Sequence, residues 1–237
     1  STVMNKQSNV YTIIYIAVLV VVVGAALALT SMSLADKKQA NADADKMRQI
    51  LASVHVTAED GDVKDAFERY IVETEVLDSK GQKVEGDAFG VNVAEQSKLP
   101  ADKRQLPLYV CDLGKDGVKY IMPVYGAGLW GPIWGYVAVD ADGSTVYGAY
   151  FAHQGETPGL GAEIEKPDFA NQFHDKTLWK NGRFAPIAVV KNGQKPQGDE
   201  DYVNGISGGT ITSKGVSAML HDCLTPYAEF LKNLKNK

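Results

Sequence analysis

Cysteine is scarce. Cys111 and Cys223 are the only two in 237 residues, and neither sits in a C-x-x-C or finger-like spacing. That count excludes a disulfide-stapled scaffold. A basic excess is missing as well: 24 basic against 29 acidic side chains leave a net charge of −5. A protein that grips nucleic acid through its phosphates would show the opposite balance or a basic stripe. Glycine and proline, at 23 and 9, stay at ordinary levels and exclude collagen-like or low-complexity classes. There is no internal repeat, and only one long apolar run.

That run is VYTIIYIAVLVVVVGAALALT, Val10 to Thr30, without a single charge. At 1.5 Å per residue it spans about 30 Å, the thickness of a bilayer's hydrocarbon core. Tyr11 and Tyr15 stand near its start, where aromatic rings favour the interface. Ser33-Leu34-Ala35 offers small residues for a signal-peptide cleavage site, but signal h-regions run only about 7–15 residues. The run is therefore expected to be an uncleaved anchor. The flanking charges, Lys6 before it and Lys37, Lys38, Lys46 and Arg48 after it, place the C-terminal part in the cytoplasm if the positive-inside rule is applied literally. Everything after Ala35 is polar enough to be water-soluble, with 23 basic and 29 acidic residues.

The soluble part alternates between helical and strand patterns. Met47, Ile50, Leu51 and Val54 share one helical face in a segment from Asp36 to about Val54, with Lys46, Arg48 and Gln49 facing away. Strand patterns follow at 70–77, 107–113, 118–126, 136–140, 144–152 and 183–193. Gly114–Gly117 and Ala141-Asp142-Gly143 supply hairpin turns. A last amphipathic helix starts near Thr212 and reaches toward Leu234. Strands grouped between terminal helices give an α+β domain with a largely antiparallel sheet.

Three glycine-rich segments carry chemistry. Gly126–Gly135 places Leu129, Trp130 and Trp134 among glycines, suited to covering a flat ligand; equally, it suits a wide loop capping the sheet. His153–Gly161, HQGETPGLG, forms a rigid turn whose backbone N–H groups suit an anionic or heteroaromatic ligand. His153 and Glu156 lack a third ligand at matching spacing, so no metal site is expected. Ser207–Val216, SGGTITSKGV, precedes the last helix and suits an anion at a helix N-terminus or an N-cap cluster. It lacks the order of a Walker A loop. Gly205–Gly209 does match G-x-S-x-G, the hydrolase nucleophile elbow, but a polar stretch precedes it, and only His221 and Asp222 follow in the short remainder.

The Ser207–Val216 segment resembles the S-G-A-T-x-T flavinylation motif of bacterial FMN-binding domains. The GLWGPIWGY (128–136) and HQGETPGLGAEI (153–164) runs resemble the same family in order and spacing. The likeness extends over nearly the whole chain. It is nearest to the C-subunit branch of Na+-translocating NADH:quinone reductases, with the G-subunit flavoproteins of Rnf complexes as its sister. Gly209 stands where alanine is usual, and Asn204 where aspartate commonly precedes the motif.

The resemblance implies FMN in phosphodiester linkage to Thr212, expected on a surface loop, with Ser207, Gly208, Gly209 and Thr210 around the phosphate. It implies Leu129, Trp130 and Leu160 as apolar cover for the ring. Glu156, Thr157 and Gly161 would lie at the ring edge, with Lys191 a cationic contact. With no base of its own evident for Thr212, attachment falls to a flavin transferase using FAD and Mg2+. No NADH fingerprint, iron–sulfur cysteine set or quinone site is visible, so a subunit with NADH, FAD and iron–sulfur sites, a second FMN subunit and integral membrane subunits are implied as partners. The implied layout is a cytoplasmic 1–9, a transmembrane helix 10–30 in the bacterial inner membrane, a linker helix 31–55 and a periplasmic FMN-binding domain 56–237. Here family and charge count disagree, and the family's orientation is adopted because partner helices can override a bias of about three charges. The function implied is an electron relay rather than a catalyst with catalytic residues of its own. A cofactor-free anchoring module and a hydrolase using Ser207 are the readings from other classes.

Overall fold

A computed structural model describes residues 9–59 and 61–236. The expected cytoplasmic N-terminus with Lys6 lies outside the described residues, apart from Asn9. The chain divides into two units, the first ending at Lys46 and the second running from Met47 onward.

Helix α1, Asn9–Ala52, contains the apolar run. Val10, Ile13, Val21, Leu27 and Leu29 are all exposed on it. An all-round apolar helix surface has no partner in water and suits lipid. Among the described residues this is the one helix long and apolar enough to cross a membrane. The helix continues to Ala52, through most of the 31–55 stretch read as a linker.

The second unit is α+β, as the strand grouping predicts. After α2 (Val63–Tyr70) come β1 (Ile71–Leu77), β2 (Lys83–Val84), α3 (Val93–Gln96), β3 (Leu106–Asp112), β4 (Val118–Ala127), β5 (Pro132–Asp140) and β6 (Val146–His153). They form one antiparallel sheet in the order β2-β1-β3-β4-β5-β6. β4 and β5 pair from Lys119↔Asp140 to Ala127↔Pro132, making the longest ladder. Asp142 holds the β5–β6 turn by accepting from Ser144 and Thr145 N–H at 2.8 and 2.9 Å. α4 (Pro167–Ala170), β7 (Trp179–Lys180), β8 (Arg183–Phe184), β9 (Ala188–Val190), β10 (Tyr202–Asn204), α5 (Thr210–Leu224) and α6 (Ala228–Lys235) complete the chain.

The central strands are buried on both faces, which is why they read as nearly continuous apolar runs. Leu108, Val110, Met122, Val124, Ile133 and Val137 meet Val216, Met219 and Leu220 of α5 in one core. On the other face Tyr109 packs edge-on against Tyr136 and Phe67, at 6.5 and 6.4 Å between ring centroids.

Four local expectations are corrected. The strand read at 183–193 is split, because Pro186 cannot donate to a ladder; β8 pairs with β7, and β9 pairs in parallel with β10. The wide loop at 126–135 is a tight hairpin tip: Gly126 and Ala127 belong to β4, and β5 begins at Pro132. Gln49 does not face away, since its side chain accepts a hydrogen bond from Trp134 Nε1 at 2.9 Å. The last helix starts at Thr210, two residues early, and Pro226 interrupts it with a 3-10 turn before α6.

Candidate functional site

The β4–β5 hairpin tip, the loop after β6 and the start of α5 converge. Gly128 N–H donates to Gly131 O at 2.8 Å and closes the tip, leaving Leu129 and Trp130 projecting. After β6, Leu160 and Ala162 N–H both donate to Thr157 O at 3.1 Å, and Gly159 N–H donates to the Glu163 side chain at 3.0 Å. This network makes the E-T-P-G-L-G turn rigid. Gly209 occupies the N-cap of α5, so no side chain caps the helix. Neither Thr212 nor Ser213 caps it; Ser213 Oγ instead accepts from Ile206 N–H at 2.9 Å.

Thr212 is therefore not on a surface loop. It sits in the first turn of α5 and is 1% exposed. Its hydroxyl donates to Glu156 Oε2, while Glu156 Oε1 accepts from Trp130 N–H at 2.8 Å. Glu156 is itself only 4% exposed. Burial pushes its carboxyl up, but hydrogen bonds from Thr212, Trp130 and Leu129 outweigh this and hold it below the usual carboxylate range. One side chain thus ties together all three glycine-rich segments.

Two glycines exist to admit that carboxylate. A Cβ on Gly128 would stand 2.5 Å from Glu156 Oε1, and one on Gly161 would collide with both Glu156 Oε2 and Thr212 Oγ1. Gly126, Gly128 and Gly131 also have G-x-G-x-x-G spacing. They join two antiparallel strands instead of a strand to a helix, so the phosphate-binding helix of a dinucleotide fold is missing there.

The pair lies at the floor of a cleft of about 210 Å³ lined by Leu129, Glu156, Thr157, Leu160, Gly161 and residues 208–212. Leu129, Trp130, Leu160 and Ile211 are exposed large apolar side chains at these segments. Residues 128–225 match the family described as FMN-binding domain. The chain is 36% identical over 229 residues to the C subunit of the Na(+)-translocating NADH-quinone reductase of Vibrio anguillarum, covering 90% of this chain and 89% of that one. It is 31% identical to the corresponding Yersinia pestis protein, covering 98% and 95%. The crystal structure of the same reductase's C subunit from Parabacteroides distasonis superposes with a TM-score of 0.78 at 47% identity, covering 84% of this chain and 96% of that one.

The chain belongs to the C-subunit family of Na+-translocating NADH-quinone reductases.

In this C subunit the residues expected around the flavin fall into two groups. Leu129, Glu156, Thr157, Leu160, Gly161, Gly208, Gly209, Thr210 and Thr212 line the cleft together. Ser207 and Lys191 do not; they line a larger neighbouring cavity of about 460 Å³ that shares Gly208 and Thr210 with the cleft. Trp130 stands at the hairpin tip rather than among the lining residues, and Trp134 turns to the other face of the sheet. Ile211 was missed. Its signal is an apolar residue between two threonines at a helix start, where it is 55% exposed.

Of the pair weighed as metal ligands, Glu156 N–H donates to His153 Nδ1 at 3.1 Å. Among the described residues no three His, Cys, Asp or Glu gather to hold a metal. Ser207 is exposed, and His221 and Asp222 lie eleven residues or more along α5 from Thr210, about 16 Å of helix. That separation keeps His221 and Asp222 away from the G-x-S-x-G serine.

Proposed function

We propose that this C subunit bears FMN in phosphodiester linkage to Thr212 and relays electrons from NADH toward quinone within a Na+-pumping complex. The observation that carries the reading is the cleft itself, which brings three separated glycine-rich segments around one threonine hydroxyl. The residues fit the group. Gly208 keeps the cleft narrow and smooth, since a Cβ there would stand 2.6 Å from Leu160 Cδ2. Leu129, Trp130, Leu160 and Ile211 offer apolar faces for a ring system, and Thr157 and the first turn of α5 offer polar groups for its edge and phosphate.

A cleft of about 210 Å³ is smaller than the roughly 300–1,000 Å³ of pockets that enclose a drug-sized ligand. A tether to Thr212 supplies the retention that so shallow a site lacks, and leaves the ligand near the surface where a redox partner can approach. Bound FMN supplies one- and two-electron redox chemistry, while the protein sets its position and surroundings. Lys191 and Ser207, on the adjoining cavity, would act on the donor nucleotide or the phosphate from the side.

The anchor is read as a single pass through the bacterial inner membrane, with residues 1–9 in the cytoplasm, 10–30 in the bilayer, 31–55 as a linker and 56–237 in the periplasm. Partners would be the subunits holding the NADH, FAD, iron–sulfur, second FMN and quinone sites. A transferase using FAD and Mg2+ would install the flavin.

Intact mass after co-expression with a flavin transferase tests this. The expected result is a gain of about 438 Da, FMN joined with loss of water, as covalent carriage requires, located on the peptide containing Thr212. A bare peptide from a preparation with active transferase overturns the phosphodiester.

A further inference from the structure

The deepest feature of the cleft is the bond between Thr212 and Glu156. A threonine hydroxyl is a weak nucleophile unless an adjacent group takes its proton. Here the hydroxyl donates to Glu156 Oε2, and the other carboxylate oxygen is pinned by Trp130 N–H at 2.8 Å. The carboxylate reaches this position because Gly128 and Gly161 leave room for its two oxygens, where any Cβ would collide with them. Its backbone is fixed too, with Glu156 N–H on His153 Nδ1 at 3.1 Å. We infer that Glu156 is the general base, supplied by this chain, for the modification of its own Thr212. The inference rests on the phosphodiester reading above and adds a residue role to it.

In the step, the Thr212 Oγ1–H bond breaks and its proton passes to Glu156 Oε2. Oγ1 forms a bond to the phosphorus on the flavin side of FAD as the bond from that phosphorus to AMP breaks. The proton then leaves Glu156 for solvent, and no electrons change hands. In phosphoryl transfer the nucleophile's proton leaves late, so a fixed carboxylate chiefly aims the oxygen and receives the proton as the bond forms. The donors around it keep the carboxyl ionised and able to accept, while lowering its basicity, so its part is chiefly to aim Oγ1 and to receive a proton that leaves late. Charge at the first turn of α5 is also favoured by the helix dipole.

The same bond could serve only to staple the hairpin tip to α5, and the experiment separates the two. Full-length chain in detergent is modified by purified flavin transferase with FAD and Mg2+, and adduct formation is followed by mass. Glu156→Gln keeps an acceptor for Trp130 N–H but cannot take a proton. The expected result is a kcat for modification lowered about 100-fold or more, the range of general-base effects, with KM for the chain close to wild type and the variant still folded at the assay temperature.

Gly161→Ala, whose Cβ would press on both Glu156 Oε2 and Thr212 Oγ1 and part the pair, carries the same expectation for kcat if the glutamine variant melts. A folded variant of either kind modified at the wild-type kcat overturns the role of Glu156, as does a change confined to KM. A wild-type chain that stays bare overturns the phosphodiester reading itself, a separate failure.

Discussion

Trp130 and Trp134, four residues apart on one hairpin, serve opposite purposes. Trp134 Nε1 donates to Gln49 at 2.9 Å and fastens the end of α1 to the sheet, whereas Trp130 stands 69% exposed at the tip. Trp134→Phe keeps an aromatic ring but loses that bond, worth about 1 kcal/mol, together with the packing of the indole's second ring. The thermal midpoint should fall by about 2–4 °C, the shift for a domain of this size. Trp130→Ala should leave the midpoint almost unmoved.

Glu156 links stability to pH. Its folded-state pKa lies below that of an unperturbed glutamate, about 4.3. The unfolded chain therefore binds the proton more readily, so the stabilisation is fully present above about pH 4.3 and is lost as pH falls through the folded value. Thermal melts between about pH 6 and 3 should show a smaller acid loss for Glu156→Gln than for wild type. An equal loss in both would remove Glu156 from the acid response.

Where local pattern sufficed, the sequence was legible. The β3–β4 and β5–β6 hairpins fall where turn residues separate apolar runs, and the 44-residue α1 contains the apolar span. The three site segments could be picked out by glycine content, yet their roles could not. Gly128 and Gly161 matter because a carboxylate 28 or 5 residues away needs the space, a relation that no local pattern encodes. Thr212 looked exposed because hydroxyl-rich glycine stretches usually are; the helix begins earlier and Glu156 covers it. The break at Pro186 and the pairing of β9 with β10 depend on tertiary contacts over more than ten residues. Even the reading of Gln49 as solvent-facing failed only because one indole N–H waited across the sheet.

The two thiols should remain unpaired. Cys223 lies in the α5 core, donating to Tyr125 O and accepting from Tyr125 N–H, while Cys111 is buried in β3, and both are free. Burial pushes the Cys111 thiol up to about 11 and raises that of Cys223 as well, so little thiolate exists at neutral pH. Native protein should react with a disulfide reagent at pH 8 far more slowly than protein in denaturant, which should release two equivalents. Rapid native labelling at either position would place that thiol at the surface.

Thr212→Ala should abolish the flavin adduct, and it should also cost stability, because the residue is buried. Removing the hydroxyl deprives one Glu156 oxygen of its donor, a loss of about 1–3 kcal/mol for a buried acceptor, or roughly 2–12 °C in midpoint. Thr212→Ser retains the donor and should stay close to wild type in both stability and acceptance of the flavin. If the penalty belongs to the pair, Thr212→Ala should cost less in a Glu156→Gln background, since an amide oxygen left short of a donor is less expensive than a charged one. A double-mutant cycle of thermal or urea unfolding should return a coupling of about 1–3 kcal/mol, because the two groups share one hydrogen bond. Additive losses would mean that the side chains stabilise the cleft independently.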